Sequence, residues 1–287
     1  MSSPCRGPRC RGIAGSLRRC GARSFLPRPR RINVGEVTGY VLLESLFTAT
    51  EVERLRAVAE QVHVDVVAAA EAGETDVTVW PDGHRLEKVR GTTIHWEPDA
   101  VGKAVRSLSP VSQLHPALDA LWDESRLVDP MSALIGARAG RFVAKLNFKR
   151  AGVGSEFAWH QDFPYWYCCA GDAAYDIATA IVMLDDNTVA NGAMTLIPDS
   201  PAEGPVRRDP LEPTGLLVDP TAVDVSRAVT VEAPAGSVLM FPGLMVHRSA
   251  PNRTASDRRS LLYCFQPTGR PELSALTYDP ERLAALP

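Results

Sequence analysis

No apolar run in this 287-residue chain approaches the ~20 residues that a bilayer-spanning helix needs, which excludes a helical integral membrane protein. No internal repeat is visible either. The length therefore suits one large β-rich domain with helical decoration, or two small ones. Acidic residues are absent from positions 1–31, which hold nine arginines. That segment carries +9, so the rest of the chain must carry −12 to give the net charge of −3. A mildly acidic folded part disfavours nucleic acid as its partner. The Arg-rich segment also lacks hydrophobic periodicity and is rich in Pro, Gly and Ser, so it is expected to be disordered. It reads as an unstructured leader, or as a start codon placed too early in a GC-rich gene. An organellar transit peptide is the alternative. The folded domain is then expected over residues 32–287. Cysteine gives no metal template: Cys5, Cys10 and Cys20 do not have zinc-site spacing. Cys168, Cys169 and Cys264 read as reduced thiols of an intracellular, cytoplasmic protein, because adjacent cysteines rarely pair with each other.

Val37 to Leu43 reads as a first strand. Thr48-Ala49-Thr50-Glu51 then fits a capping box, with Phe47 and Val52 placed for a hydrophobic staple and apolar residues at helical period through Val62. Beyond an alanine-rich stretch, Trp80-Pro81-Asp82-Gly83 reads as a turn and Lys88 to Trp96 as one strand. Pro110 to Leu134 carries a second helical pattern through Leu114, Leu118, Leu121 and Trp122. A β-rich core is expected from 138 to 267. Within it, Ala202 to Val225 is a long Pro- and acid-rich loop, either a lid or simply exposed. Asp279 to Leu286 is expected to form a short closing helix.

The chemistry is concentrated in the tripeptide His160-Gln161-Asp162. Side chains alternate faces along a strand, so His160 and Asp162 are expected to reach one ion from one strand. Taken alone, the tripeptide is read equally well as a half-buried strand histidine bonded to its neighbour. His247 follows in a strand-like context, and Arg258 lies eleven positions further on. Two imidazoles and one carboxylate hold one face of a mononuclear iron(II) and leave the other face open. An arginine offers a planar fork to a carboxylate. The surroundings support this reading. Phe142 to Lys149, Ile177 to Asp186, Asn191 to Pro198 and Gly236 to His247 all read as buried strands closed by turn residues.

The pattern W-H-Q-D-F-x-Y-W, then L-D-D, N-G-x-M-x-x-I-P, G-S-V-L-x-F-x-G-x-x-x-H-x-S-x-x-N and an arginine strand resembles the phytanoyl-CoA dioxygenase family over roughly residues 34 to 267. The resemblance implies a mainly β fold with flanking helices, built on a double-stranded β-helix of jelly-roll or cupin-like form. It also implies Fe(2+) as the metal, with 2-oxoglutarate and O2 as co-substrates. His160, Asp162 and His247 would be both catalytic residues and metal ligands. Arg258, chosen over the adjacent Arg259 by its spacing from the distal histidine, would bind the distal carboxylate of 2-oxoglutarate. Ser249 shares the face of His247 and would add a hydroxyl there, unless it is an ordinary strand serine. Lys145, Asn147 and Thr179 would touch the co-substrate, unless they are polar residues on an edge. Gln161 should turn away from the metal. This chain departs from the family at Pro198-Asp199-Ser200-Pro201, where a P-G-S-H turn is usual; that histidine is not a ligand. Asp162 also argues against the halogenating relatives, which lack the carboxylate.

The expected reaction is hydroxylation of a C–H bond in a small organic molecule, with release of succinate and CO2. The substrate would be a secondary metabolite, an amino acid derivative or a lipid-like acid. Desaturation, epoxidation or rearrangement at the same site is the first alternative, and a non-catalytic metal- or ligand-binding β-helix protein is the second. A cupin-type metalloenzyme would instead show clustered histidines and need no arginine here. In the run Phe163, Tyr165, Trp166 and Tyr167, one or two aromatics are expected to wall the substrate and the rest to be core. His63, His84, His95 and His115 read as ordinary histidines, His95 lying in the region that contacts substrate in related enzymes. Lys88 and Arg90 are expected on one strand face, solvated unless the substrate is anionic. Neither nucleic acid nor membrane is expected as a partner, and the sequence does not give an oligomeric state.

Overall fold

The computed structural model describes residues 39–73, 75–98 and 104–287; the Arg-rich leader and the start of the first expected strand lie outside them. The strands are β1 Val41–Leu43, β2 Asp76–Val79, β3 Arg85–Val89, β4 Thr92–Trp96, β5 Val105–Ser109, β6 Ala139–Lys149 and β7 Phe157–His160. They continue with β8 Ala178–Met183, β9 Met194–Leu196, β10 Val229–Thr230, β11 Val238–Pro242, β12 His247–Ser249 and β13 Arg258–Pro267. The helices are α1 Ala49–Glu71, α2 Pro116–Asp119, α3 Ser125–Ile135, α4 Phe163–Ala170 and α5 Ser200–Glu203. All the ladders are antiparallel. They make a nine-stranded sheet, ordered β1-β11-β8-β13-β6-β5-β4-β3-β2, and a four-stranded sheet, ordered β10-β9-β12-β7. This is the mainly β architecture with flanking helices that the sequence led one to expect.

β8 explains the unbroken apolar run around it. Ile181 and Met183 pack with Leu196 and Met245 in a core shared with the smaller sheet. Ala180 and Val182 point the other way, into a core with Leu55 and Val62 of α1 and Leu127 and Met131 of α3. A strand buried on both faces reads as continuous rather than alternating hydrophobicity. α1 begins where expected: Thr48 and Glu51 form both halves of the capping box. Phe47 and Val52 lie buried in the same core. The alanine-rich stretch extends this helix to Glu71, alanine being the best helix former.

Two expectations are corrected. Lys88 to Trp96 is not one strand: it holds the end of β3, a two-residue hairpin turn and all of β4, because Arg90 and Gly91 both take positive φ, 49° and 75°. That is the twist a tight hairpin favours. Pro110 to Leu134 is not one helix. A 3-10 turn precedes α2, which has Pro116 in its first turn, another follows it, and Glu124 in extended conformation separates both from α3. The short closing helix expected at the end of the chain is present, in 3-10 form, over Pro280–Ala285 with Asp279 as its cap. The long loop is strapped to β7: Val218 N–H donates to Trp159 O at 2.9 Å, and Leu217 bridges His160.

Candidate active site

His160 ends β7 and His247 opens β12, and the two residues pair directly across the smaller sheet with ring centroids 4.1 Å apart. Asp162 is not on the strand, so alternation does not place it, contrary to expectation. It has turned into helical conformation at the N-terminal cap of α4, φ −66° and ψ −24°, with Pro164 pre-set for the first turn. Gln161 does face away: its amide donates to Gly204 O (3.0 Å) and Leu244 O (2.6 Å), and its carbonyl accepts from Val206 N–H (2.9 Å). That anchoring fixes the turn which brings Asp162 back toward the histidines. One ligand atom from each of His160, Asp162 and His247 lies within 4.8 Å of the others.

The donor set fits a divalent first-row metal. His160 Nδ1–H donates to Ala158 O at 2.7 Å and His247 Nδ1–H to Met245 O at 2.9 Å. A carbonyl can only accept, so both rings are held in the tautomer that leaves Nε2 free as a ligand. Burial, reinforced by His247, pulls His160 down to about 4, so this ring is neutral at physiological pH. Burial alone would raise the Asp162 carboxyl, but His247, Lys145 and His160 outweigh it and hold the group ionised, below its ordinary value. Thr179 Oγ1–H adds a bond to Asp162 Oδ2 at 3.2 Å. Thr179 therefore contacts the carboxylate ligand and, contrary to expectation, is not among the residues bordering the cavity. Two imidazoles and one carboxylate are the facial set that suits iron(II).

The triad borders a cavity of about 240 Å³, into which Arg258, Ser249, Asn147 and Lys145 also face. Arg258 is buried. Its Nη1–H donates to Asn187 Oδ1 at 3.0 Å and its Nε–H to Asn191 O at 3.2 Å, leaving Nη2 with no protein partner among the described residues. Burial lowers its pKa to about 10, so the guanidinium keeps its charge without a carboxylate to bond it. Arg259 points the other way and is fully matched: Asp185 takes Nε–H and Nη2–H, both at 2.8 Å, and Glu60 takes Nη1–H at 2.9 Å. Along the β13–β6 ladder, Arg258 faces Lys149, Ser260 faces Asn147 and Leu262 faces Lys145. Lys149 Nζ is caged by the carbonyls of Ser155 (2.6 Å), Ala250 (2.7 Å) and Ser249 (3.3 Å). Lys145 Nζ makes no hydrogen bond or ion pair among the described residues and stands 5.8 Å from the Tyr165 ring.

Of the aromatic run, Tyr165 borders the cavity while Phe163 and Trp166 are fully buried in the core, which is the division expected. Lys88 and Arg90 are exposed and away from the cavity, Arg90 because it sits in the hairpin turn. His95, read as an ordinary histidine, does border the cavity. The sequence reading missed Trp80, Arg106 and Ser260 as cavity residues and Asn187 as a partner of Arg258. Ser260 was findable, two positions from Arg258 on the same strand face. Trp80 reaches the site from the connection between β2 and β3 and Arg106 from β5, whose placement over the cavity has no local signal.

A family model for phytanoyl-CoA dioxygenase matches residues 35–260. An ectoine dioxygenase from Bordetella parapertussis is 27% identical over 87% of this chain and 79% of its own. A probable alpha-ketoglutarate-dependent hypophosphite dioxygenase from Stutzerimonas stutzeri is also 27% identical, over 78% of this chain and 73% of its own. In fold, the chain is similar to EctD from S. alaskensis, solved with 2-oxoglutarate and 5-hydroxyectoine. The TM-score is 0.60 at 24% identity, covering 80% of this chain and 72% of that one. Together with the histidine–aspartate–histidine cluster, these matches place the chain in the phytanoyl-CoA dioxygenase family, as an iron- and 2-oxoglutarate-dependent dioxygenase.

Proposed function

We propose that His160, Asp162 and His247 hold iron(II), that Arg258 with Ser249 and Asn147 takes the distal carboxylate end of 2-oxoglutarate, and that the enzyme hydroxylates a C–H bond of a small organic molecule. Succinate and CO2 are the co-products, and one domain, residues 32–287, carries the activity. The observation behind this reading is a buried, charged Arg258 with an unmatched Nη2, in the same cavity as a triad whose two free Nε2 atoms and one carboxylate converge. A desolvated guanidinium of this kind calls for an anion, and a planar carboxylate matches its fork.

When bound, iron with 2-oxoglutarate and O2 supplies an oxidant strong enough to attack a C–H bond. The chain's own residues do the positioning. Ala158 O and Met245 O fix the imidazoles, and Thr179 orients Asp162. Asn187 and Asn191 hold the Arg258 fork in place, so little side-chain freedom is lost on binding. Phe241, 4.9 Å from the His247 ring, and Phe157 help keep water from the reacting face. The cavity lies below the ~300–1,000 Å³ usual for drug-sized ligands, which favours a small substrate. The test is succinate formation by purified protein supplied with iron(II), ascorbate, O2 and 2-oxoglutarate. Slow, iron-dependent succinate is expected even without the natural substrate. No succinate together with no 2-oxoglutarate binding overturns the proposal.

A further inference from the structure

We propose that Lys145 binds a carboxylate of the molecule to be oxidised, making the substrate a small carboxylic acid whose body packs against Trp80 and Tyr165. The inference rests on the function proposed above and is an account of charge. Among the described residues bordering the cavity, Arg106, Lys145, Lys149, Arg248 and Arg258 are cationic and Asp162 alone is anionic. Four of the five cations already have a place. Arg106 donates to Glu97 Oε2 at 3.4 Å and to Glu156 O at 2.6 Å. Lys149 lies in its cage of three carbonyls. Arg248 is exposed to solvent and stacks 4.9 Å from the Trp159 ring. Arg258 takes the distal end of the co-substrate. At the metal, the two positive charges of iron(II) are balanced by Asp162 and by the other carboxylate of 2-oxoglutarate. Lys145 is left over: it makes no hydrogen bond and no ion pair among the described residues, and its longer-range attraction to Asp162 would be answered by the metal.

An unpaired ammonium in a desolvated site is costly, and a bound anion relieves that cost. Lys145 stands on the side of the cavity away from Arg258. Their positions on the β6–β13 ladder are four residues apart, ~13 Å at about 3.3 Å per residue. A five-carbon diacid spans only about 5 Å between its carboxyl carbons, at ~1.5 Å per bond. Around Lys145 the walls are aromatic. Tyr165 lies 5.8 Å from its Nζ, the Trp80 and Tyr165 ring centroids are 6.4 Å apart, and Tyr278 stacks on Tyr165 at 5.5 Å. A cation beside an aromatic wall matches an organic acid with a flat or ring-shaped body.

The test uses the full chain loaded with manganese(II), which substitutes for iron without turnover, in the presence of saturating 2-oxoglutarate. The probes are benzoate and L-proline, each compared with its carboxamide, and binding is read by tryptophan fluorescence and calorimetry. At least one acid is expected to bind saturably, with its carboxamide weaker by about tenfold or more. Lys145→Met, close in shape and apolar, should lose that preference, whereas Lys145→Arg should keep it. Both variants should bind 2-oxoglutarate within about twofold of wild type. The inference is overturned if neither acid binds, if acid and amide bind alike, or if Lys145→Met keeps the preference. It is also overturned if Lys145→Met weakens 2-oxoglutarate about tenfold, since Lys145 would then serve the co-substrate. A wild-type protein that binds no 2-oxoglutarate overturns the proposed function and this inference with it; intact 2-oxoglutarate binding with no acid preference overturns the inference alone.

Discussion

The two histidines of the triad each spend one ring nitrogen on the backbone carbonyl two residues back, Ala158 O and Met245 O, and so leave the other free as a ligand. Sequence spacing identifies the residue types but cannot convey that arrangement, because it depends on where the strand carbonyls point. Thr179 shows the same limit: its place on a strand was readable, while its bond to Asp162 follows from the turn into α4. Asp162 is the sole anion of the set. Replacing it with Ala should lower metal affinity by at least about tenfold and abolish iron-dependent succinate formation, since loss of even a supporting partner of a metal ligand costs that much. Calorimetric titration of manganese(II) and a succinate assay check this; near-native values in Asp162→Ala would remove Asp162 from the ligand set.

At the level of elements, the sequence reads well where one face or both faces of a strand are buried, and poorly where turn chemistry cuts a periodic run. β8, β11 and β13 were legible from apolar continuity, and α1 from its capping box. The split between β3 and β4 was not, because Arg90 is an unusual residue for positive φ. The broken helical region before β6 kept its leucine spacing across two 3-10 turns and so mimicked one helix. The N-G pair before β9 now has a physical reason. Asn191 offers its carbonyl to Arg258 and ties its side chain to Thr188 N–H (2.9 Å) and Asp186 O (2.7 Å). Gly192 has φ 80° and its missing Cβ would collide with the Ala250 carbonyl. Gly192→Ala is therefore expected to destabilise the fold by about 1–3 kcal/mol and to displace Asn191 from Arg258. Urea unfolding and 2-oxoglutarate affinity should fall together, and an unchanged variant would show that the turn is slack.

Over the whole molecule, the cavity is where buried charge gathers, and this has a consequence for stability against pH. Burial, with Lys145, Arg106 and His84 reinforcing it and Asp82 opposing, pulls His95 down to about 4 from its usual 6.5. The unfolded chain takes up that proton near pH 6.5 and the folded chain does not, so stability is present above this pH and is lost as pH falls toward 4. The loss for one group is at most about 1.4 kcal/mol per pH unit. His95→Gln should flatten part of that slope in urea unfolding between pH 7 and 4.5; a slope identical to wild type would show that His95 titrates normally. The central claim, that this cavity is a metal and 2-oxoglutarate site, is tested most directly by anaerobic titration of 2-oxoglutarate into iron(II)-loaded wild type, Arg258→Ala and Arg259→Ala. Removing one partner of a desolvated ion pair costs about 2–5 kcal/mol, and each ~1.4 kcal/mol is tenfold in affinity. Arg258→Ala should therefore bind at least about thirtyfold more weakly, while Arg259→Ala, whose side chain is spent on Asp185 and Glu60, should bind nearly as wild type. Absence of saturable binding in the wild type, or a larger loss in Arg259→Ala than in Arg258→Ala, would contradict the account.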